Sequence, residues 1–462
     1  MRKLLCLICV LLVQYTSATE TDSLKLDFEE YLAIVKKYHP LVKQAGLKVE
    51  EGDFKLMKAR GFFDPKIEAN LSEKEYMDTE YYNLFGAAFK IPTYYGLEFN
   101  AKFEENSGKY LNPQNTVPED GLYSAGVSLD ITNGLFMSER MAALKQAKIY
   151  QDQSQVKRDL MIADILYNAS STYFEWYSAY EELSLYQNLL SNAAFRLKSV
   201  KTQFRLGDKP AIDTLEANIT FENRELQLEQ AKLDFIKASL KLSNYLWTEN
   251  NTPLEITTGV RPNDDLFERV TVMWLENEIV ATENLEENPK LRSLEYDLDA
   301  LEIERKLRAN KLLPDLDLSY NFLTSEPEEW RSLNTRDYKF GFSLSLPIFL
   351  RKERGDLQLA RLEVENTEYE LLNASQEIYN KLKSLQSEIS SFRQQRVKLN
   401  DLVADYATLV AAEQRKLQLG DSSLFLVNTR ENSFISARLK EIEVIIKYLK
   451  SQAELLKIRA VF

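Results

Sequence analysis

Four stretches of this chain contain neither glycine nor proline: Ser138 to Leu206, Ala211 to Asn251, Asp356 to Leu419 and Asp421 to Phe462. Glycine and proline are the residues that most readily end a helix. At 1.5 Å per residue, a helix of about 65 residues spans about 100 Å. No ordinary globular domain requires such a length. Periodicity sustained well past about 25 residues points to a coiled coil, a membrane span or a helical repeat.

The spacing of apolar residues selects the coiled coil. Ile378, Leu382, Leu385, Ile389 and Phe392 recur at alternating intervals of four and three, and Leu399, Val403, Tyr406 and Val410 resume the pattern after Arg396 interrupts it. In the earlier segment Trp176, Tyr180, Leu183, Leu190, Ala194, Leu197 and Phe204 follow the same spacing, broken at Gln187 and Lys201. A 3.5-residue repeat keeps one stripe against a partner helix. The Leu-Gly-Asp sequences at Leu206 and Leu419 then join antiparallel neighbours, because glycine accepts the left-handed conformation that ends a helix.

The chain is duplicated. His39-Pro40 corresponds to Asn288-Pro289, and Pro65 follows the first as Pro314 follows the second, each after 25 residues. Val127 to Ile131 corresponds to Phe342 to Leu346, and the tip Leu206-Gly207-Asp208 to Leu419-Gly420-Asp421. Each half reads as helix, strands, very long helix, tight turn, long helix. The organisation expected is a leader at 1–18, a first repeat at 19–287 and a second at 288–462. The first repeat holds strands at about 66–131, a helical hairpin at about 135–250 and an intervening segment at about 252–287. The second holds strands at about 315–347 and a hairpin at about 353–460.

The leader follows from Arg2 and Lys3, the apolar run Leu4 to Val13, and Thr16-Ser17-Ala18 as small residues before a cleavage point. Both cysteines, Cys6 and Cys9, fall within it. The mature chain would therefore have no disulfide, thiolate metal site or cysteine nucleophile. Leu7 and Ile8 before Cys9 argue against lipidation. The net charge of -13 becomes about -15 without Arg2 and Lys3 and argues against a nucleic-acid partner. After the leader no run of about 18 apolar residues occurs, so a membrane can be crossed only by a closed barrel.

Strands of the required kind are present. Leu316, Leu318, Tyr320 and Phe322 alternate with polar residues, as do Tyr338 to Leu346 and Tyr123 to Ile131, and Ile67, Ala69 and Leu71 more weakly. Two strands per half give four per chain. A sheet edge in lipid leaves backbone groups unpaired at several kcal/mol each, and barrels of about eight strands are filled by side chains. A water-filled pore built from four strands per chain thus needs at least three chains. One segment departs from this scheme. Pro65 to Arg140 covers 75 residues and Pro314 to Arg354 only 40. The excess carries a further alternating hairpin at about 83–103, which either projects from the membrane or adds strands to the barrel.

These residues resemble the TolC family of outer-membrane efflux proteins over nearly the whole mature chain. The carriers are the two Asn/His-Pro helix starts, Pro65 and Pro314 before the strands, and the two Leu-Gly-Asp tips, duplicated in order. The resemblance implies a mainly α fold with a transmembrane β-barrel. Three copies, usually giving four strands each, form a twelve-stranded barrel in the outer membrane of a Gram-negative bacterium, and their helices form a tube in the periplasm. It implies a channel of a tripartite efflux or type I secretion system, a passive exit for small molecules, metal ions or polypeptides. Its partners would be a periplasmic adaptor, outer-membrane lipid and, indirectly, an inner-membrane transporter of the RND, ABC or MFS class.

On that resemblance Leu206, Gly207, Asp208, Leu419, Gly420 and Asp421 are candidate adaptor-docking tips. They are also helix caps, and the two roles are compatible. The family narrows its periplasmic mouth with acids six and nine residues beyond the second tip glycine. Here those positions are Leu426 and Thr429, and the first-repeat equivalents are Asp213 and Glu216. Asp213 and Glu216 read either as a lumenal acid ring or as a solvated helix N-terminus, where acids are favoured.

No catalytic or cofactor-binding constellation accompanies this architecture. His39 is the sole histidine, and neither a phosphate-binding loop nor a dinucleotide glycine fingerprint occurs. No enzyme activity, cofactor or metal is expected. The alternative is a periplasmic coiled-coil scaffold without transport, which leaves the amphipathic strands without a purpose.

Overall fold

The computed structural model describes residues 24–257, 259–279, 287–326 and 336–461. The leader assigned to 1–18, with Cys6 and Cys9, lies outside them. The elements in order are β1 (Lys25–Leu26), α1 (Phe28–Tyr38), α2 (Pro40–Arg60), β2 (Lys66–Glu75), β3 (Glu80–Pro92), β4 (Leu97–Ser107), β5 (Leu122–Asp130), α3 (Ile131–Leu135), α4 (Glu139–Leu206) and α5 (Ala211–Ser243). There follow β6 (Arg261–Pro262), α6 (Leu266–Ile279), α7 (Pro289–Asn310), β7 (Asp315–Thr324), β8 (Tyr338–Ser345), α8 (Arg351–Leu419) and α9 (Leu424–Arg459). Helices α4 and α8 run for 68 and 69 residues. Among the described residues, no helix is long and apolar enough to cross a membrane.

The chain divides into two compact units, and α4, α8 and α9 contribute residues to both. One comprises Leu41–Ile165, Ala281–Ser384 and Leu455–Phe462. It contains a six-stranded sheet in the order β2-β3-β4-β5-β7-β8, antiparallel throughout. The extra hairpin is therefore β3 and β4, hydrogen-bonded between β2 and β5. The two-per-half expectation gave four strands, and the sheet has six. Helix α2 approaches α4 closely enough that a Cβ at Gly52 would sit 2.6 Å from Ser154 Oγ. Buried Asn310 at the end of α7 donates to the carbonyls of Thr132 and Met137 at 3.2 and 2.9 Å, fastening α7 beneath the sheet. Asn288 caps α7 by accepting from Lys290 N and donates to the Ile458 carbonyl at 2.9 Å.

The other unit comprises Met1–Pro40, Leu166–Val280 and Leu385–Glu454. Its core is aromatic. Phe28 packs edge-on to Tyr173 and Trp274, and Trp176 stacks on Phe235 and donates to Ser239 Oγ at 3.0 Å. The predicted seam of α8 holds here: Leu385 and Ile389 are buried, and Phe392, Leu399, Val403, Tyr406 and Val410 are each half-buried. Arg396 occupies its seam position because its guanidinium lies 3.5 Å over the Phe267 ring and pairs with Glu268 at 3.3 Å. In α4 the buried stripe instead runs Leu189, Ala193, Leu197 and Val200. Of the expected seam beyond Gln187, Leu197 is buried and Leu190 half-buried, whereas Ala194 and Phe204 are exposed and Ala193 takes the place of Ala194.

His39 closes α1 before Pro40 opens α2, as Asn288 precedes Pro289. It is 6 % exposed and stacks on Tyr245 at 5.4 Å. Burial lowers its pKa, and a hydrogen bond to the Asn244 backbone opposes that shift. The unfolded chain therefore takes up this proton at higher pH than the native one, and stability falls as pH drops below about 6.5. His39→Asn, the residue of the second repeat, is expected to remove this contribution. The unfolding midpoint measured between about pH 7 and 5.5 should then depend less on pH than in the wild type.

Candidate functional site

The sheet has two chemically distinct faces, and the register aligns them across all six strands. Ile67 lies beside Phe89, Phe89 beside Ala101, Ala101 beside Ala125, Ala125 beside Phe322, and Phe322 beside Tyr338. Side chains alternate along a strand, so the intervening rows form the other face. There Lys90 pairs with Glu68 at 2.6 Å, and Ser343 donates to Asp317 at 3.2 Å. Along the middle of the strands one face is largely apolar and the other largely polar, with Ala88, Leu122 and Leu323 as apolar members of the polar rows, as lipid on one side and water on the other require.

Where β5 and β7 meet α3, α4 and α7, a cavity of about 600 Å³ continues the polar face, lined among others by Glu98, Asp130, Glu139, Arg140, Lys311 and Asp315. Lys311 donates to Glu139 at 2.5 Å and holds that carboxyl below its usual range. Arg140 lies 3.8 Å from Glu98. Among the described residues no cluster of His, Cys, Asp or Glu is arranged to hold a metal ion.

The two helical tips are near-copies. Gly207 and Gly420 adopt φ of 84° and 89°. Asp208 N donates to Gln203 O and Asp421 N to Lys416 O, both at 2.9 Å, and each glycine N donates three residues back. This is the Schellman arrangement, which the left-handed glycine permits. Nothing lies within 4 Å of a Cβ built at either glycine, so the backbone angle alone requires it. Leu206 and Leu419 are each 71 % exposed, and Asp208 and Asp421 are exposed beside them. Ile212, Leu215 and Phe425 add further exposed apolar surface in the first turns of α5 and α9.

Of the four candidate aperture residues, Asp213 and Glu216 are half-buried, and Leu426 and Thr429 are exposed. Asp213 lies 3.9 Å from Lys209. Glu216 accepts from Asn428 Nδ2 at 3.1 Å, and Asn428 Oδ1 accepts from Arg196 at 3.0 Å. Thr429 donates to its own helix, at the Phe425 carbonyl.

Adjacent to this group is an ion cluster that the sequence reading did not single out. Glu431 on α9 is 2 % exposed and pairs with Arg196 of α4 at 3.0 Å and Arg224 of α5 at 3.3 Å. Arg224 also donates to Asn432 at 2.7 Å and Gln227 at 2.8 Å. The signal was present. Ala217, Phe221, Leu228, Ala231 and Phe235 form an apolar stripe in which Arg224 takes a core position, and Glu431 follows Leu424 and Val427 in the same way. Buried charges persist only when paired and hydrogen-bonded, so one intruder in each of two facing stripes implies the other.

A sheet with one lipid-compatible face, carried on helices of this length, defines a channel protein of the TolC-like outer-membrane type. The family described as Outer membrane efflux protein matches residues 96–246 and 280–460, well over half of the chain, and the chain belongs to that family. Solved structures agree in fold. The outer membrane channel CmeC of Campylobacter jejuni superposes with a TM-score of 0.65 at 14 % identity, covering 94 % of this chain and 86 % of that one. The outer membrane protein VceC of Vibrio cholerae gives 0.66 at 10 % identity, covering 94 % and 95 %. The open state of the MtrE outer membrane channel of Neisseria gonorrhoeae gives 0.64 at 15 %, covering 94 % and 88 %. No curated protein matches the chain. The protein is thus an outer-membrane efflux channel protein.

Removing one member of a buried ion cluster leaves its partners uncompensated, at about 3–5 kcal/mol. Glu431→Ala is expected to destabilise the helical unit by an amount in that range, read from chemical unfolding of the purified protein. Asp213→Asn, whose nearest cation is 3.9 Å away, should leave the midpoint almost unchanged.

Proposed function

We propose that three copies of this chain form a passive exit duct across the outer membrane and into the periplasm. It serves a tripartite efflux or type I secretion system that exports small molecules, metal ions or polypeptides. The observation that carries this reading is the sheet: one face largely apolar, one largely polar, and β2 and β8 at its edges without a further partner strand among the described residues. Lipid cannot satisfy the backbone groups of such edges, so the sheet must close with other copies. The helices continue the duct as a tube, residues 1–18 act as a leader, and the driving energy comes from an inner-membrane transporter of the RND, ABC or MFS class.

The two Leu-Gly-Asp tips are the docking surface for a periplasmic adaptor. Two matching caps, each presenting an exposed leucine beside an aspartate, support this role, since apolar surface left in water commonly marks a contact site. Asp213 and Glu216, with Leu426 and Thr429, belong to the aperture above the tips. The hydrogen bonds joining Glu216, Asn428 and Arg196 support a region in which the helical hairpins are held together.

Fractionation tests the channel against the scaffold. The expressed chain should sediment with the outer membrane and migrate without heating as a complex with the mass of three copies. A soluble periplasmic monomer would sink the channel reading and favour a scaffold. Leu206→Asp combined with Leu419→Asp should abolish co-purification with a co-expressed periplasmic adaptor that the wild type retains, while leaving the oligomer intact. Undiminished co-purification would remove the tips from the docking surface.

A further inference from the structure

We propose that the β3–β4 hairpin is pore wall, so that three copies close an eighteen-stranded barrel whose bore the hairpin's charged residues line. The copy number rests on the trimeric channel reading above; the strand count rests on the sheet. Six strands per chain, taken three times, give eighteen.

The hairpin's pairing is in constant register except beside the β2–β3 turn, where it shifts between Lys74 and Glu75. All ten residues of β2, Lys66 to Glu75, have partners in β3, and β4 is in register with β5 from Leu97 against Leu129 to Glu104 against Leu122. A hairpin projecting into water would have no reason to keep one face apolar. Here Ala87, Phe89 and Ile91 of β3 and Phe99, Ala101 and Phe103 of β4 continue the apolar rows of the neighbouring strands. Lys90, Glu98, Asn100 and Lys102 continue the polar rows, and the Lys90–Glu68 pair ties β3 to β2 on that side. The turn between β3 and β4 is short and carries Gly96 at φ 73°, with Asp130 N donating to Gly96 O at 3.1 Å. That bond fixes the turn to the end of β5, beside the start of α3.

The edges suit closure by further copies. Six antiparallel strands leave β2 and β8 running in opposite directions. Strand β8 of one copy can therefore pair antiparallel with β2 of the next, apolar faces on the same side. Such head-to-tail contacts close rings under rotation. All ten residues of β2 are exposed in the single chain, as are all those of β8 except half-buried Gly341. Neither edge strand contains proline, and the apolar residues Ile67, Ala69 and Leu71 of β2 and Tyr338 to Leu344 of β8 lie in unbroken register with their neighbours.

Barrel diameter grows roughly linearly with strand number, and barrels of 16–18 strands enclose an aqueous channel. Eighteen strands make a bore about 1.5 times as wide as twelve would. The hairpin contributes Lys90 and Lys102 together with Glu98 and Glu104, both signs in one wall. The membrane section would then pass bulky hydrated cargo without sorting it by charge, and selection falls to the helical section and its partners.

Single-particle imaging of the full chain, purified in mild detergent, tests the proposal directly. A threefold particle with eighteen strands is the expected result. A threefold particle with twelve strands and β3–β4 outside the wall would overturn this inference and leave the channel reading intact. A twofold particle or a monomer would overturn the trimeric reading as well. Cysteine labelling in intact cells is independent of imaging. A membrane-impermeant maleimide should label Asn100→Cys about tenfold faster than Ala101→Cys, because pore-facing and lipid-facing positions alternate. Equal rates at the two positions, with both variants assembled, would remove the hairpin from the wall.

Discussion

A peptide group in hydrocarbon has no water to bond with, and each one left unpaired costs several kcal/mol. That constraint organises the sheet-bearing unit. Its interior strands satisfy one another through consecutive pairings from β2 to β8, and the apolar rows stay in phase through every pairing. A slip of one residue anywhere would turn a strand's Phe, Leu and Ile side chains to the wet side. The Asn310 bonds to Thr132 and Met137 matter for the same reason. They anchor the sheet at the point where strands give way to helices and backbone groups would otherwise be left over.

In the helical unit the dominant contacts are apolar stripes, and charged side chains that enter them find partners. Glu431 is held by two guanidiniums and Arg396 lies over an aromatic ring. An ion cluster of this kind adds little net stability compared with well-packed apolar residues. What it does is specify which helices meet and at what height, because a register shift would leave a charge buried and alone. Long helices with repetitive stripes have many nearly equivalent alignments, and a buried polar contact discriminates among them. The Schellman caps act at the other end of the scale, setting where each long helix stops.

Much of this was legible in the residues themselves. Helix lengths followed from the absence of glycine and proline, the tips from Leu-Gly-Asp, the strands from alternation, and the outer-membrane efflux family from the duplicated order of landmarks. The aromatic and charged details were less legible. Beyond Gln187 the seam of α4 holds at Leu197 and fails at Ala194 and Phe204, because in a stripe of mixed Leu and Ala several faces have similar apolar content and only the neighbouring helices select one. Arg224 and Glu431 stood in core positions of their stripes, a signal that gains meaning only when the two stripes are known to face each other.

By itself the sequence determined the local periodicities, since a 3.5-residue stripe and a two-residue alternation each allow one kind of secondary structure. It also determined where the chain must turn, since only particular residues tolerate the backbone angles of a helix end. The tertiary structure decided which strands are neighbours. Alternation in the β3–β4 hairpin was equally compatible with a projection and with a wall, because amphipathicity says that a strand has an apolar face and not which strand it lies beside. Hydrogen-bond register places the hairpin inside the sheet, between β2 and β5. It is a relation between segments distant in the chain, and it makes the sheet six strands wide instead of four.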